Sequence, residues 1–184
     1  MTRKSLPIFL LILSIWIGVL PISTVDARAV NGEVEYKIKA AFLLNFAKFI
    51  NWPEGSFGDE EQLFTVCVIG ENPFGSALSA IESRTVGNKK IILRYVDDMT
   101  QVAGCRLLFI SESEKNNLSS LHEALAGQTI ITVSDINGFV GFGGIIEFVT
   151  KDSRLTFKIN LSEAREQGLG IDSALLNLAL EVKR

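Results

Sequence analysis

Four short, largely apolar runs lie in the middle of this chain, and they constrain its fold more than any other feature. They are Leu63–Ile69, Lys89–Val96, Leu107–Ile110 and residues 129–133. Short runs that are rich in β-branched residues are typical of strands buried on both faces of a sheet. Segments 74–83 and 114–126 have helical character. The alternation predicts an α/β fold, a single three-layer domain with a mostly parallel or mixed sheet and helices on both faces.

A helix is also predicted before the first strand. Apolar side chains recur at three- and four-residue steps over residues 33–50, the period of an amphipathic helix. Asn31 is the expected N-cap. Trp52-Pro53 ends the helix, because a proline disfavours helical geometry in the residue before it.

The C-terminal third has a different character. Residues 144–149 and 155–159 are two strand-like runs separated by a polar turn, which predicts a C-terminal β-hairpin. A short helix over 162–167 and a last helix over 173–183 follow it. We expect Asp172 to cap the last helix.

The first 29 residues have the composition of a secretory signal peptide. Two basic residues precede an uncharged apolar run over 6–22, and Ala27-Arg28-Ala29 fits the small-x-small pattern of signal peptidase. We predict cleavage after Ala29 and export of a mature domain spanning residues 30–184. An uncleaved anchor is the alternative, because an apolar run of this length lies at the lower limit for a membrane span.

Charge and residue counts limit the classes of partner and chemistry. The chain carries 18 Lys and Arg residues against 21 Asp and Glu residues, so it lacks the cationic surplus of a nucleic-acid-binding protein. Two cysteines and one histidine are too few for an ordinary zinc site. The sequence contains no G-x-S-x-G element. We therefore expect no nucleic-acid partner, no metal or other cofactor, and no catalytic site.

Cys67 and Cys105 are the only cysteines. Export would place both in an oxidising compartment, where pairing is the usual outcome. A structural disulfide is the favoured interpretation. A labile, regulatory disulfide and two free thiols remain the alternatives.

The turn after the first apolar run is a candidate ligand site. Glu71 and Asn72 follow a predicted strand and precede a predicted helix, the place where α/β folds bind phosphates. The turn lacks the Lys-Ser/Thr of a P-loop and the three-glycine spacing of a dinucleotide fingerprint. A plain strand-to-helix turn is therefore the favoured interpretation.

A glycine-rich loop over residues 135–144 is a second candidate. Phe139 and Phe142 lie within it, and if exposed they would form an apolar rim for a ligand or partner. The alternative is that the glycines serve turns alone.

Five sequence segments together carry a family resemblance. They are KAAFLLNFAKFINWP (39–53), GCRLLFIS (104–111), TVSDINGF (132–139), GGIIEFV (143–149) and RLTFKINLSEAREQGLGIDSALLNLA (154–179). In this combination the chain resembles the YfiR/HmsC family over nearly all of residues 36–182.

The resemblance implies a function and a set of partners. It implies a periplasmic regulator that represses an inner-membrane diguanylate cyclase by binding the periplasmic domain of that cyclase, with effects on cyclic-di-GMP and biofilm formation. An OmpA-like outer-membrane lipoprotein would sequester the regulator, and a homodimer is expected. Cys67 and Cys105 match a cysteine pair that the family uses as a stabilising disulfide. A second pair found in some relatives has no cysteines here, so redox activation through that bridge is not implied.

Candidate site residues follow from these two lines of argument. Aromatic side chains are common anchors of interfaces, and the candidate anchors here are Tyr36, Phe42, Phe49, Phe139 and Phe142. Arg154 belongs to the hairpin motif and could hold an anionic or aromatic ligand, although an ion pair with Glu147 or Asp152 is the favoured interpretation. The alternative function is a periplasmic small-ligand-binding module that uses Arg154, Glu71 and Asn72.

Overall fold

The computed structural model describes residues 27–57 and 62–184, with side chains described from Gly32 onwards within those ranges. The predicted signal peptide, residues 1–29, lies almost entirely outside the described residues, so its cleavage stays a prediction. None of the described helices is long and apolar enough to cross a membrane.

The described strands form one large and one small sheet. They are β1 (Ile50–Asn51), β2 (Leu63–Ile69), β3 (Thr85–Val86), β4 (Lys89–Val96), β5 (Leu107–Ile110), β6 (Ile131–Ser134), β7 (Ile146–Lys151), β8 (Arg154–Asn160), β9 (Gly170–Ile171) and β10 (Glu181–Lys183). The large sheet has eight strands in the order β10-β8-β7-β6-β5-β2-β4-β3, and β1 pairs with β9. Strands β4, β2, β5, β6 and β7 run parallel to one another, whereas β3 pairs antiparallel with β4 and β8 pairs antiparallel with β7.

The described helices are α1 (Ala27–Lys48), α2 (Leu118–Leu125), α3 (Leu161–Glu166) and α4 (Ser173–Leu178). Short 3₁₀ helices occupy Ala77–Ala80, Met99–Gln101, Glu112–Asn117 and Phe139–Phe142. The last of these lies in the glycine-rich loop between β6 and β7.

Side chains on the two faces of the large sheet enter two separate cores. The first core, under α1, includes Leu43, Phe46, Phe64, Val66, Phe109, Val133, Phe148 and Phe157. The second core, under α2, includes Cys67, Ile69, Cys105, Leu108, Ile110, Leu121, Ile136 and Phe139. Alternate residues of β2 point to opposite cores, as the two-residue period of a strand requires. The predicted three-layer α/β fold is confirmed.

Aromatic packing fixes α1 on the first face. The Phe46 ring is fully buried, with its centroid 5.0 Å from that of Phe157 and 5.5 Å from that of Phe148. Burial of a large apolar side chain contributes about 1.5–3 kcal/mol relative to exposure. The helical period over residues 33–50 is therefore explained by the contact of α1 with β7 and β8.

Several predicted element boundaries are wrong. Asn31 is not an N-cap, because α1 already includes residues 27–31. Segment 74–83 forms only the 3₁₀ helix Ala77–Ala80. Gly75 has a φ of +53°, which a right-handed helix does not accept, so an α-helix cannot begin at Phe74.

The predicted last helix is too long. Asp172 caps α4 as expected, with its Oδ1 accepting from the Ala174 amide at 2.7 Å, but α4 ends at Leu178. Residues 181–183 instead form β10, which pairs in parallel with β8. An unpaired strand edge offers backbone hydrogen bonds that a solvent-exposed helical turn does not match, so tertiary pairing overrides the helical pattern.

Cys67 and Cys105 form a disulfide, which confirms the favoured interpretation. Their Cα atoms are 5.8 Å apart, and both residues are fully buried in the second core. The bond ties β2 to the segment before β5 and closes a loop with a sequence separation of 38 residues.

Removal of this disulfide should destabilise the fold. We expect the variant Cys67→Ala/Cys105→Ala to lose about 4 kcal/mol of unfolding free energy, because the unfolded chain gains the entropy of an open loop. Urea denaturation followed by tryptophan fluorescence measures the loss. Adding dithiothreitol should destabilise the wild type and leave the double variant unchanged; equal stability of the two proteins under oxidising conditions would contradict this role.

Candidate functional site

A groove of about 660 Å³ lies between α1 and the β7–β8 hairpin. It exists because β6 ends at Ser134, whereas β7 pairs with β6 only through Ile146 and Glu147 and then continues to Lys151. The hairpin therefore rises above the carboxyl ends of the neighbouring parallel strands, and the N-terminal half of α1 forms the opposite wall. The carboxyl edge of a parallel sheet is the usual position for binding sites in α/β folds.

The groove has an apolar wall and a charged rim. Its apolar side chains are those of Phe148, Val149, Leu155 and Leu180, and its charged ones those of Glu35, Lys39, Glu112, Asp135, Glu147, Lys151 and Lys158. Its volume falls within the range of about 300–1,000 Å³ that is typical of ligand sites.

An ion pair forms the floor of the groove. The buried Lys39 Nζ lies 2.6 Å from Asp135 Oδ2 and 2.6 Å from Glu35 Oε1. The Tyr36 hydroxyl donates to the same Asp135 oxygen at 2.8 Å. A buried cation is tolerated when it is paired and hydrogen-bonded. The first residue after β6 is thereby joined to α1.

Tyr36 is held in its neutral form by this environment. Burial raises the pKa of its phenol well above the usual value, and the hydrogen bond to Asp135 together with the negative charge of that carboxylate raises the pKa further. The Tyr36 ring also packs edge-on against Phe74 and lies 4.2 Å from Lys39 Nζ.

Glu147 is a second buried charge, and it holds the glycine-rich loop. Its two carboxylate oxygens accept from the amides of Gly138 and Val140 at 3.0 and 3.1 Å. Lys158 Nζ lies 4.0 Å away on the neighbouring strand. The loop also needs glycine at position 144, because a Cβ there would overlap the Phe139 ring. These contacts give the loop a structural role.

The five predicted aromatic anchors have different environments. Tyr36 lines the groove, Phe42 and Phe49 are half-buried against the first core, and the Phe142 side chain is 55% exposed. The expectation of an exposed Phe139 is wrong, because Phe139 is buried in the second core beside Gly144. A role of the other four in binding a partner stays a prediction.

The predicted ligand residues do not come together. Glu71 and Asn72 are exposed on the turn after β2, where the Glu71 amide donates to Ser113 Oγ at 2.9 Å and Asn72 Oδ1 accepts from the Phe74 amide at 3.0 Å. Neither residue lines the groove. The side chain of Asn72 is thus explained by the turn that it stabilises.

Arg154 lies exposed at the start of β8, next to the hairpin turn. In the part of the chain that the structure describes, it forms no ion pair with Glu147 or Asp152, so the favoured structural interpretation is wrong. Glu147 is instead occupied by backbone amides and Lys158. A ligand-binding role of Arg154 stays a prediction.

The sequence interpretation missed Lys39 and Asp135, although both had a visible signal. Lys39 lies four residues before Leu43, on the apolar face of the predicted helix, where a lysine needs a partner. Asp135 directly follows a buried strand. A buried ion pair produces this pattern, in which a cation and an anion each lie in an otherwise apolar segment.

Replacing Lys39, the cation at the floor of the groove, should destabilise the protein. We expect Lys39→Met to lower the free energy of unfolding by about 3–5 kcal/mol, because it leaves the largely buried Asp135 without its cation. Lys37→Met is the matched control, since Lys37 forms the same i,i+4 pair with Glu33 on the exposed side of α1. Chemical denaturation should show no measurable change for the control. An equal effect of the two substitutions would contradict a special role for Lys39.

Tyr36 should make stability sensitive to alkali. Because its pKa is higher in the folded than in the unfolded protein, its stabilising contribution is complete below about pH 10 and is lost as the pH rises further. Tyr36→Phe should therefore show a shallower loss of stability above pH 10 than the wild type. Tyr95 is the only other tyrosine and is 52% exposed, so Tyr95→Phe is the control and should match the wild type. Equal slopes for all three proteins would contradict the argument.

At the level of fold, the chain resembles a solved structure described as the ABC domain in complex with L-Trp from Streptococcus pneumonia. The TM-score is 0.54 at 10% sequence identity, and the match covers 78% of this chain and 60% of that chain. This likeness shows the α/β architecture alone, and the chain spans less than two thirds of that relative's length.

A family model gives the more specific finding. The model described as YfiR/HmsC-like matches residues 36–180, which include α1 from Tyr36 onwards, all of the groove lining except Glu35, and the disulfide. Members of this family are periplasmic regulators rather than enzymes. Membership is consistent with a role in the regulation of diguanylate cyclases. The chain therefore belongs to the YfiR/HmsC-like family.

Proposed function

We propose that this protein is a periplasmic regulator that binds the periplasmic domain of an inner-membrane diguanylate cyclase and represses it. The observation that carries the proposal is the family match over residues 36–180. Repression would lower the synthesis of cyclic-di-GMP and limit biofilm formation. Capture of the regulator by an OmpA-like outer-membrane lipoprotein would relieve the repression.

The groove supports this proposal because it offers a surface suited to a protein partner. Tyr36, Val149 and Leu155 are partly exposed and provide aromatic and apolar contact area, and the exposed Lys151 lies at the rim. Interfaces combine such anchors with a polar rim. Since Lys39 is already paired within the protein, covering the groove leaves no unpaired cation at its floor.

Phe142 supplies a second possible contact. Its ring is exposed on a loop that Glu147 holds in place through two backbone amides, so little conformational freedom is lost when a partner covers it. Among the predicted anchors, Tyr36 and Phe142 are the two that we propose to contact the cyclase.

The proposal predicts a change in cyclic-di-GMP when the protein is removed. Deletion in the source bacterium should raise the cellular concentration, and complementation with the wild type should restore it. Complementation with Lys151→Glu should restore it only in part, because the charge at the groove rim is reversed. Lys90→Glu, an equivalent reversal at an exposed β4 residue outside the groove, should complement fully.

Co-purification from envelopes gives the direct readout. The wild type should recover a membrane diguanylate cyclase, and Lys151→Glu should recover less of it at equal periplasmic abundance. An unchanged cyclic-di-GMP concentration after deletion, with no cyclase recovered, would overturn the proposal.

A second candidate function, binding of a small periplasmic ligand, is favoured by the size of the groove. The solved structure of similar fold is described as a complex with L-Trp, so L-tryptophan is a reasonable probe. Calorimetric binding that Lys151→Glu weakens and Lys90→Glu preserves would support a ligand site in the groove. The absence of binding heat at millimolar L-tryptophan would count against this ligand.

A further inference from the structure

Strand β7 has an open edge inside the groove. On one side it pairs with β8 along its whole length, whereas on the other side it pairs with β6 only at Ile146 and Glu147. The groove lining includes five consecutive residues of this strand, 147–151. Neighbouring residues of a strand point to opposite faces of the sheet. A groove that contacts all five therefore runs along the backbone edge of β7 itself.

The backbone groups that this edge presents follow from one hydrogen bond and from the register. The Asn160 amide donates to the Ile145 carbonyl at 2.8 Å, so Ile145 faces β8. Backbone groups alternate in direction along a strand, so Phe148 and Thr150 face away from β8. The parallel register with β6 places the Ser134 carbonyl at the Phe148 amide. Among the described residues, the Phe148 carbonyl and both backbone groups of Thr150 are then left without a partner.

The hairpin holds this open edge in a fixed shape. Asp152 and Ser153, the turn between β7 and β8, have φ values of +50° and +59°, which is typical of a type I′ turn. An ordered strand loses little conformational freedom when another segment pairs with it. Open edges of this kind bind extended peptides by strand addition, in which the main chain supplies affinity and alternate side chains supply specificity.

The two faces of the hairpin beside the open edge have different chemistry. On the face turned to α1, Leu155 lies opposite Thr150, and both Leu155 and Tyr36 are partly exposed in the groove. On the other face, Lys151 and Arg154 lie directly opposite each other. Both are exposed, and neither forms a salt bridge in the part of the chain that the structure describes. Like charges at facing positions repel, so this face favours an anionic group.

We propose that the open edge of β7 binds an extended segment of the partner protein as an added strand, in which apolar residues alternate with acidic ones. The apolar side chains contact Tyr36 and Leu155, and the acidic side chains pair with Lys151 and Arg154. The main chain of the segment hydrogen-bonds to the open backbone groups of β7. This inference rests on the proposed function, because it states how a protein partner occupies the groove.

A synthetic peptide tests the inference without a purified partner. The probe is acetyl-Thr-Val-Glu-Val-Glu-Val-Thr-amide, whose residue order is the same in both directions, so parallel and antiparallel pairing present the same side chains. Nuclear magnetic resonance of the isotope-labelled protein, purified from the periplasm, measures binding and amide hydrogen exchange. At saturation, exchange of the Thr150 amide should slow by about tenfold or more, whereas the Val149 amide, which faces β8, should keep its rate.

Altered peptides test charge and main-chain pairing separately. Replacing both glutamates by lysine should weaken binding by about tenfold or more. N-methylation removes backbone donors, and backbone groups alternate in direction along the peptide. Methylating the valines and methylating the glutamates should therefore have unequal effects, one of them abolishing binding and the other preserving it.

Protein variants test the same contacts from the other side. Thr150→Pro removes the groove-facing amide but no bond to β8, so it should weaken binding of the acidic peptide by about tenfold without changing the unfolding midpoint. Lys183→Pro is the matched control at the other edge of the large sheet. The Leu180 amide donates to the Phe157 carbonyl of β8, so Lys183 faces outwards and its replacement should leave binding unchanged.

A charge swap keeps the inference testable even if the proline variant fails to fold. The variant Lys151→Glu/Arg154→Glu should bind the lysine peptide more tightly than the acidic one, the reverse of the wild type. Failure of the wild type to bind the acidic peptide, equal binding of the two peptides, or undiminished binding by folded Thr150→Pro would each overturn the inference.

Co-purification from envelopes separates this inference from the proposed function. Thr150→Pro should recover less cyclase than the wild type, and Lys183→Pro should recover as much. Equal recovery by all three proteins would overturn the added strand and leave the proposed function standing. Recovery of no cyclase by the wild type would overturn the proposed function, and the peptide measurements would still decide whether the edge of β7 binds an extended segment.

Discussion

The ion pair between Lys39 and Asp135 is the interaction on which the groove depends. It joins α1 to the end of β6 across 96 residues of sequence, and the Tyr36 hydroxyl reinforces it. Aromatic packing of Phe42 and Phe46 holds the C-terminal half of α1 on the first core, whereas near the carboxyl edge of the sheet the helix is held by the ion pair together with the Tyr36 ring. A buried pair of this kind adds little net stability, but removing one partner is strongly destabilising because the other charge is left unpaired. The pair therefore specifies where the helix lies.

Asp135 also begins the loop that Glu147 holds, so the largely buried Asp135 and the fully buried Glu147 organise both sides of one strand end. Asp135 pairs with Lys39 of α1 at the groove, whereas Glu147 accepts hydrogen bonds from the amides of Gly138 and Val140. The groove wall and the loop bearing Phe142 are therefore built from a continuous segment of chain. A partner that covers one of these surfaces has the other within the same rigid frame, which fits a regulator that works by binding another protein.

The central strands could be predicted from the sequence, whereas the edges of the fold could not. Strands β2, β4 and β5 have the predicted bounds. β2 and β5 are largely apolar runs that are buried on both faces, whereas β4 is only partly buried. The apolar residues of 173–183 also fit a helix, and only the nearby open edge of β8 selects strand β10. Phe139 and Phe142 lie three residues apart among glycines, and only the second core determines that Phe139 is the buried one. The sequence shows Lys39 as a charge on an apolar helix face, but it does not identify Asp135, 96 residues away, as the partner of that lysine.

Hydrogen–deuterium exchange of the wild type and Lys39→Met tests most directly whether the ion pair positions the groove. The account predicts that in the variant residues 33–39 of α1 and residues 135–144 exchange through a local opening well ahead of β2 and β5, whose slower exchange follows the global free energy of unfolding. Exchange of these two segments at the same free energy as β2 and β5 in the variant, or the same exchange in both proteins, would contradict the claim that this pair fixes the first helix and the loop relative to the sheet.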